Sequence, residues 1–173
     1  MPNDKTPAAL VAADVPVRVK TSAYPEPFAS RMARRSKRQL GEAFRLSNFG
    51  VNLTTLAPGG SSALRHAHTT QDEFVYILSG IATLHTDQGR VLMTPGMCAG
   101  FKAGSGDAHC LINETQEEIL YLEVGDRTPG DEASYPDDDI KATLIHGKWY
   151  LRIRTESHTD RVAWQFVAVE REP

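Results

Sequence analysis

The stretch from Gly60 to Gly80, GSSALRHAHTTQDEFVYILSG, holds the residues whose types and spacing could do chemistry. His66 and His68 stand two apart. On an extended segment both imidazoles therefore point to one face, because side chains alternate along a strand with period two. Glu73 opens EFVYILSG, which is β-branched and aromatic enough to be the next strand. Two imidazoles and a carboxylate converging from adjacent strands supply most of the donors of a first-row metal site. The remaining donor is expected to be another histidine, and His109, in GDAHCLIN, stands at a suitable place. Such a set suits one divalent transition ion (Fe, Mn, Ni, Co or Zn), and relative affinities do not choose among them. Four protein donors at an ion of octahedral leaning leave one or two positions for water or substrate, which separates a working site from a closed structural one.

The elements that must position these groups read as short strands. From Phe44 onward come RLSNFGVNLTTLA, the turn PGGSS, then EFVYILSG and IATLHTD as a hairpin candidate about Gly80. Glycines and Pro95 punctuate the next part, before HCLIN and the apolar EEILYLEV. Short strands at this spacing with glycine turns predict an all-β sandwich or barrel. Upstream, VPVRVK (15–20) alternates well enough for a short strand, which the prolines of YPEPF interrupt. The basic run RMARRSKRQ (31–39) reads as a solvated face, with pairing to the acidic YPDDD (135–139) as a second role. GDRTPGDEASYPDDD reads as an irregular acidic linker. KWYLRIR (148–154) and RVAWQFVAVE (161–170) read as a second hairpin turning at TESHTD. This divides the chain into an N-terminal arm (1–39), a barrel core (40–127) and a linker with a β extension (128–173).

Gly60, His66, His68, Glu73 and Gly80 fill every position of the first cupin motif, and on these residues the chain resembles that family. The second motif is met by Gly96, Gly104, His109 and Asn113, with Lys102 where the proline should stand and two extra residues between Gly104 and His109. The resemblance covers roughly residues 40–125. It implies a small jelly-roll β-barrel (double-stranded β-helix), a homodimer, and His66, His68, Glu73 and His109 as metal ligands. The whole chain is most similar to single-domain bacterial cupins of unassigned reaction.

Alternation extends the site to its surroundings. With Glu73 inward, Val75, Ile77 and Ser79 point in while Phe74, Tyr76 and Leu78 point out; with His109 inward, Leu111 and Asn113 follow. Asn52 and Thr54 could add polar contacts to a substrate, and Lys102 could swing in from its loop. The expected pocket is mixed, largely apolar with few donors. Arg65 should point away, His85 belongs at the surface or behind the ligands, and His146 and His158 are expected exposed. Cys98 and Cys110 are expected as buried small apolar side chains, Cys110 facing away from its neighbour His109.

Composition removes some classes of function. The 173-residue chain carries a net charge of −3, which argues against nucleic acid as a partner. No apolar run approaches the ~18 residues of a membrane span. The N-terminus lacks the basic-then-apolar layout of a signal peptide, so a cytoplasmic location is expected. Two cysteines make no disulfide framework. The leading expectation is a metal-dependent enzyme acting on a small molecule, by sugar or sugar-phosphate isomerisation or by dioxygen activation. A phosphate would need a basic clamp, for which only Lys102 is a ready candidate. A non-catalytic small-molecule-binding or sensor module is the alternative.

Overall fold

Alternating apolar and polar residues make strands here almost throughout. The computed structural model describes residues 6–19, 22, 24–155 and 163–168, arranged in three antiparallel sheets. The first sheet orders β1 (Arg35–Gln39), β2 (Phe49–Leu56), β9 (Ile119–Asp126), β4 (Glu73–Ser79) and β7 (Cys98–Phe101). The second, three-stranded sheet orders β6 (Gly89–Met93), β5 (Ala82–Thr86) and β8 (Cys110–Ile112). These two face each other around a core of Leu56, Ile77, Leu84, Leu111, Ile119 and Tyr121. The result is an all-β jelly roll, as the strand spacing predicts.

The third sheet runs β13 (Ala163–Ala168), β12 (Lys148–Thr155), β11 (Ile140–Ile145), β10 (Glu132–Tyr135) and β3 (Ala67–His68). The expected C-terminal hairpin is thus present as β12–β13, in register from Tyr150↔Ala168 to Thr155↔Ala163. The TESHTD turn beyond Thr155, with His158, lies outside the described residues. The segment read as an irregular linker is in part strand, because Glu132 to Tyr135 places Ala133 and Tyr135 into a second core with Met32, Leu64, Ile140 and Leu151. Through β10, which pairs Ala133 with His68, this sheet is stitched to the strand that carries the histidines.

Four local readings are corrected. EFVYILSG and IATLHTD do not pair with each other: β4 joins the first sheet and β5 the second. Gly80 makes the crossover at φ +78, against β9, where a Cβ would sit 2.6 Å from the Glu118 carbonyl oxygen. The basic run is a solvated face only at its start, where Arg31 and Arg34 are exposed; Arg35–Gln39 is β1, paired along its length with β2 and buried or half-buried throughout. Its alternation was invisible because both faces carry polar residues. The proposed tie to the acidic segment does occur, upstream of that strand, as Arg31 Nη1 to Asp138 Oδ1 at 2.5 Å. Finally, VPVRVK does not form a strand of its own: Val17 makes an isolated bridge to Arg38, and Val19 is 96% exposed. Cys110 is buried as expected, but Cys98 is exposed, on edge strand β7 opposite Tyr76. No helix among the described residues is long and apolar enough to cross a membrane.

Candidate metal centre

His66 is held by an isolated bridge to His109, and His68 stands two residues on in β3, so the loop between Leu64 and Thr69 presents both imidazoles to the barrel interior. Glu73 enters from the first residue of β4. Its partner across the sheet is Gly125, whose missing side chain leaves room for the carboxylate: a Cβ there would lie 3.7 Å from Glu73 Oε1. The donor atoms of His66, His68 and Glu73 fall within 4.8 Å of one another. Glu73 Oε2 lies 3.5 Å from His66 Nε2, 3.6 Å from His68 Nε2 and 3.0 Å from His109 Nε2. Donors around a first-row ion at about 2.1 Å stand about 3.0–3.4 Å apart in octahedral or tetrahedral order. His66, His68 and Glu73 are therefore grouped as a metal site needs, and His109 joins them through its contact with Glu73.

Two of the three outer nitrogens are fixed as a metal site requires, while His109 Nδ1 is buried without a hydrogen-bond partner among the described residues. His66 Nδ1 donates to the Leu64 carbonyl at 2.8 Å, and His68 Nδ1 donates to Asp131 Oδ2, leaving both Nε2 atoms to face inward. Asp131 is fully buried, and its other oxygen accepts from the backbone N–H groups of Thr69 and Thr70 at 3.0 and 2.8 Å. Ring contacts complete the setting. Phe101 stacks on His109 at 3.5 Å between centroids, Tyr135 stacks on His66 at 5.7 Å, and Trp149 meets His68 edge-on at 5.9 Å. Asp131, Tyr135 and Trp149 all come from the C-terminal part of the chain, which thereby packs on its own barrel.

Charge is tuned by the same contacts. Burial would raise the Glu73 carboxyl, but hydrogen bonds from His109 and His66 and the histidine charges outweigh it and hold Glu73 well below the ordinary carboxylate value. Burial lowers His109, and the Glu73 hydrogen bond only partly opposes it. For His68 burial is outweighed by Asp131 and Glu73, and the imidazole is raised. The Asp131 carboxyl is lowered despite burial, through His68 and Thr70. Glu73 is thus an anionic donor near neutral pH.

The predicted substrate contacts separate into two groups. Lys102 lines the small opening above the cluster with Gln71, Glu73, Phe101, Ser105 and Asp107. Asn52 is half-buried on β2, its Nδ2 donating to Glu123 Oε1 at 2.9 Å. Thr54, Val75, Ile77 and Leu111 are at most 8% exposed and lie in the packed interior. Asn113 is fully buried and ties the strand ends, donating to the Leu56 and Glu117 carbonyls. Arg65 does point away, bonded to Asp137 and Asp87. The interior is also less apolar than expected. Lys37, from the basic run, reaches Glu123, and Tyr121 is fully buried below it with its hydroxyl 3.3 Å from Glu123 Oε2. Sequence reasoning missed Asp131, Lys37 and Glu123. Only the register of β1 on β2, β2 on β9 and β9 on β4 reveals the last two.

Fold and donors together define a jelly-roll barrel with a cluster of three histidines and a glutamate inside it. The chain belongs to the cupin superfamily. The sequence profile of the Cupin domain matches residues 52–125. A solved structure of a sugar phosphate isomerase from a cupin superfamily, from Silicibacter pomeroyi DSS-3, is 39% identical; the match covers 84% of this chain and 92% of that one, with a TM-score of 0.80. A second, from Acidithiobacillus ferrooxidans ATCC 23270 and provisionally named sugar phosphate isomerase, is 32% identical over 68% of this chain and 74% of that one, TM-score 0.64. The polyketide cyclase RemF from Streptomyces resistomycificus shares the fold at 21% identity, over 68% of this chain and 78% of that one, TM-score 0.55. No curated protein matches the sequence significantly.

Proposed function

We propose that this cupin is a metal-dependent enzyme of small hydroxylated carbonyl compounds, acting as an aldose–ketose isomerase. One observation carries the reading: three histidine nitrogens converge on one Glu73 oxygen at 3.0–3.6 Å, at the edge of a polar cavity. His66, His68, Glu73 and His109 would hold the ion, and Lys102 would stand at the opening. The ion, when bound, supplies a Lewis acid able to polarise a carbonyl oxygen. The chain's own residues orient that centre: Asp131 and the Leu64 carbonyl aim two imidazoles, and Phe101 clamps the third. The names of the Silicibacter and Acidithiobacillus relatives support isomerisation as the reaction class.

The protein acts, in this reading, as a homodimer with a small-molecule substrate. Its outer first-sheet face exposes Phe74, Tyr76 and Leu78 by about two-fifths each, enough apolar surface for a second copy to cover.

The reaction is tested by loading the protein separately with Fe, Mn, Co, Ni and Zn and incubating it in D2O with aldoses and their phosphates. Ketose formation with deuterium entering the carbon beside the carbonyl is the expected result. Absence of ketose formation with every metal–substrate pair would contradict the isomerase reading and favour a binding module.

A further inference from the structure

The inner face of the first sheet carries a second polar group, one pleat below the histidine cluster. Glu73 pairs with Gly125, and Glu123, two residues away on β9, therefore shares its face at a spacing of about 7 Å along the strand. Asn52 is the partner of Glu123 on β2, and Lys37 reaches the same carboxylate from β1. Glu123 Oε1 accepts from Lys37 Nζ and from Asn52 Nδ2, while Oε2 accepts from Tyr121 at a longer 3.3 Å. Lys37 and Glu123 are 20% and 21% exposed, so this is not a sealed ion pair: both keep some surface accessible.

The hydrogen-bonding inventory of this wall is unbalanced toward a guest. An ammonium has three donors, and Lys37 places one on Glu123. A carboxylate has about four acceptor positions, and three are taken. Asn52 Oδ1 accepts nothing among the described residues. Donors and acceptors thus alternate along the wall within reach of one another. A hydroxyl both donates and accepts, so adjacent hydroxyls complement such a row, whereas the dianion of a phosphate monoester only accepts. A phosphate here would also meet Glu123 and, one pleat up, Glu73, with the lysine charge already neutralised by its partner.

We infer that Lys37, Asn52 and Glu123 form a hydroxyl-binding subsite that takes the uncharged polyol end of the substrate while its carbonyl end lies at the histidine cluster. This rests on the isomerase reading for the direction of the substrate, not for the existence of the subsite. A phosphate group, if the substrate carries one, lies at the other end, toward Lys102.

The test is calorimetric titration of the protein as purified with pentitols and hexitols, which are bound but cannot isomerise. At least one should bind. Its affinity should fall at least tenfold in Glu123→Gln and in Lys37→Met/Glu123→Gln, and inorganic phosphate should not displace it. The double variant removes both charges together and leaves neither buried alone, and thermal melts establish that it folds. The subsite is refuted if no polyol binds, if the folded variants bind equally well, or if phosphate displaces the polyol. Polyol binding lost in E123Q without any isomerisation by the wild type would sink the isomerase reading and keep the subsite. Isomerisation unchanged in E123Q would do the reverse.

Discussion

Asp131 sets the orientation of His68, and through it the shape of the donor cluster. Its carboxylate takes the His68 Nδ1 proton and the N–H groups of Thr69 and Thr70, so one buried side chain fixes both the ring and the loop that carries it. Outer partners of this kind are worth about 10–100-fold in metal affinity. Asp131→Asn should therefore weaken metal binding by that factor in a chelator competition, with the fold retained; unchanged affinity would mean that His68 is oriented by the Trp149 contact instead. At this scale the donors themselves were legible in the sequence, because two histidines at strand spacing and a glutamate at the next strand leave little choice of face. Asp131 was not legible. It lies 63 residues from His68, in a stretch whose acids look alike until β10 pairs with β3.

At the scale of elements, β1 decides how polar the inner face of the first sheet is. Its residues RSKRQ show no hydrophobic alternation, and a basic run is ordinarily a solvated face, so the strand and its inward Lys37 could not be read from composition. Pairing alone turns Lys37 toward Glu123. Burial lowers the Lys37 ammonium from its ordinary value, opposed by the Glu123 charge. Lys37→Met leaves Glu123 without its cation and should lower stability in urea unfolding. Removing both charges, in K37M/E123Q, should cost distinctly less; equal costs would show that packing of the lysine stem, not charge, matters. The Gly80 crossover offers a second check. Gly80→Ala meets a left-handed backbone and the Glu118 carbonyl at once and should destabilise by at least about 2 kcal/mol in the same measurement. A neutral effect would mean that β4 and β5 are joined differently. The strands flanking Gly80 were legible, but their pairing was not, since a glycine between two apolar runs serves a hairpin and a sheet-to-sheet crossing equally well.

For the whole molecule, the proposed dimer would cover the exposed face of Phe74, Tyr76 and Leu78, over an area that should clear about 1,000 Å². Light scattering after gel filtration should give a dimer for the wild type and a monomer for Phe74→Glu/Tyr76→Lys. A wild-type monomer at micromolar concentration would remove the second copy. The central claim, that the three histidines and Glu73 hold one transition ion, is met most directly by elemental analysis of untagged, chelator-free protein beside the His66→Ala/His68→Ala variant. About one ion per chain in the wild type and none in the folded variant is the expected result. A wild type that stays empty after incubation with Fe, Mn, Co, Ni and Zn, or a variant that retains its ion, would contradict it.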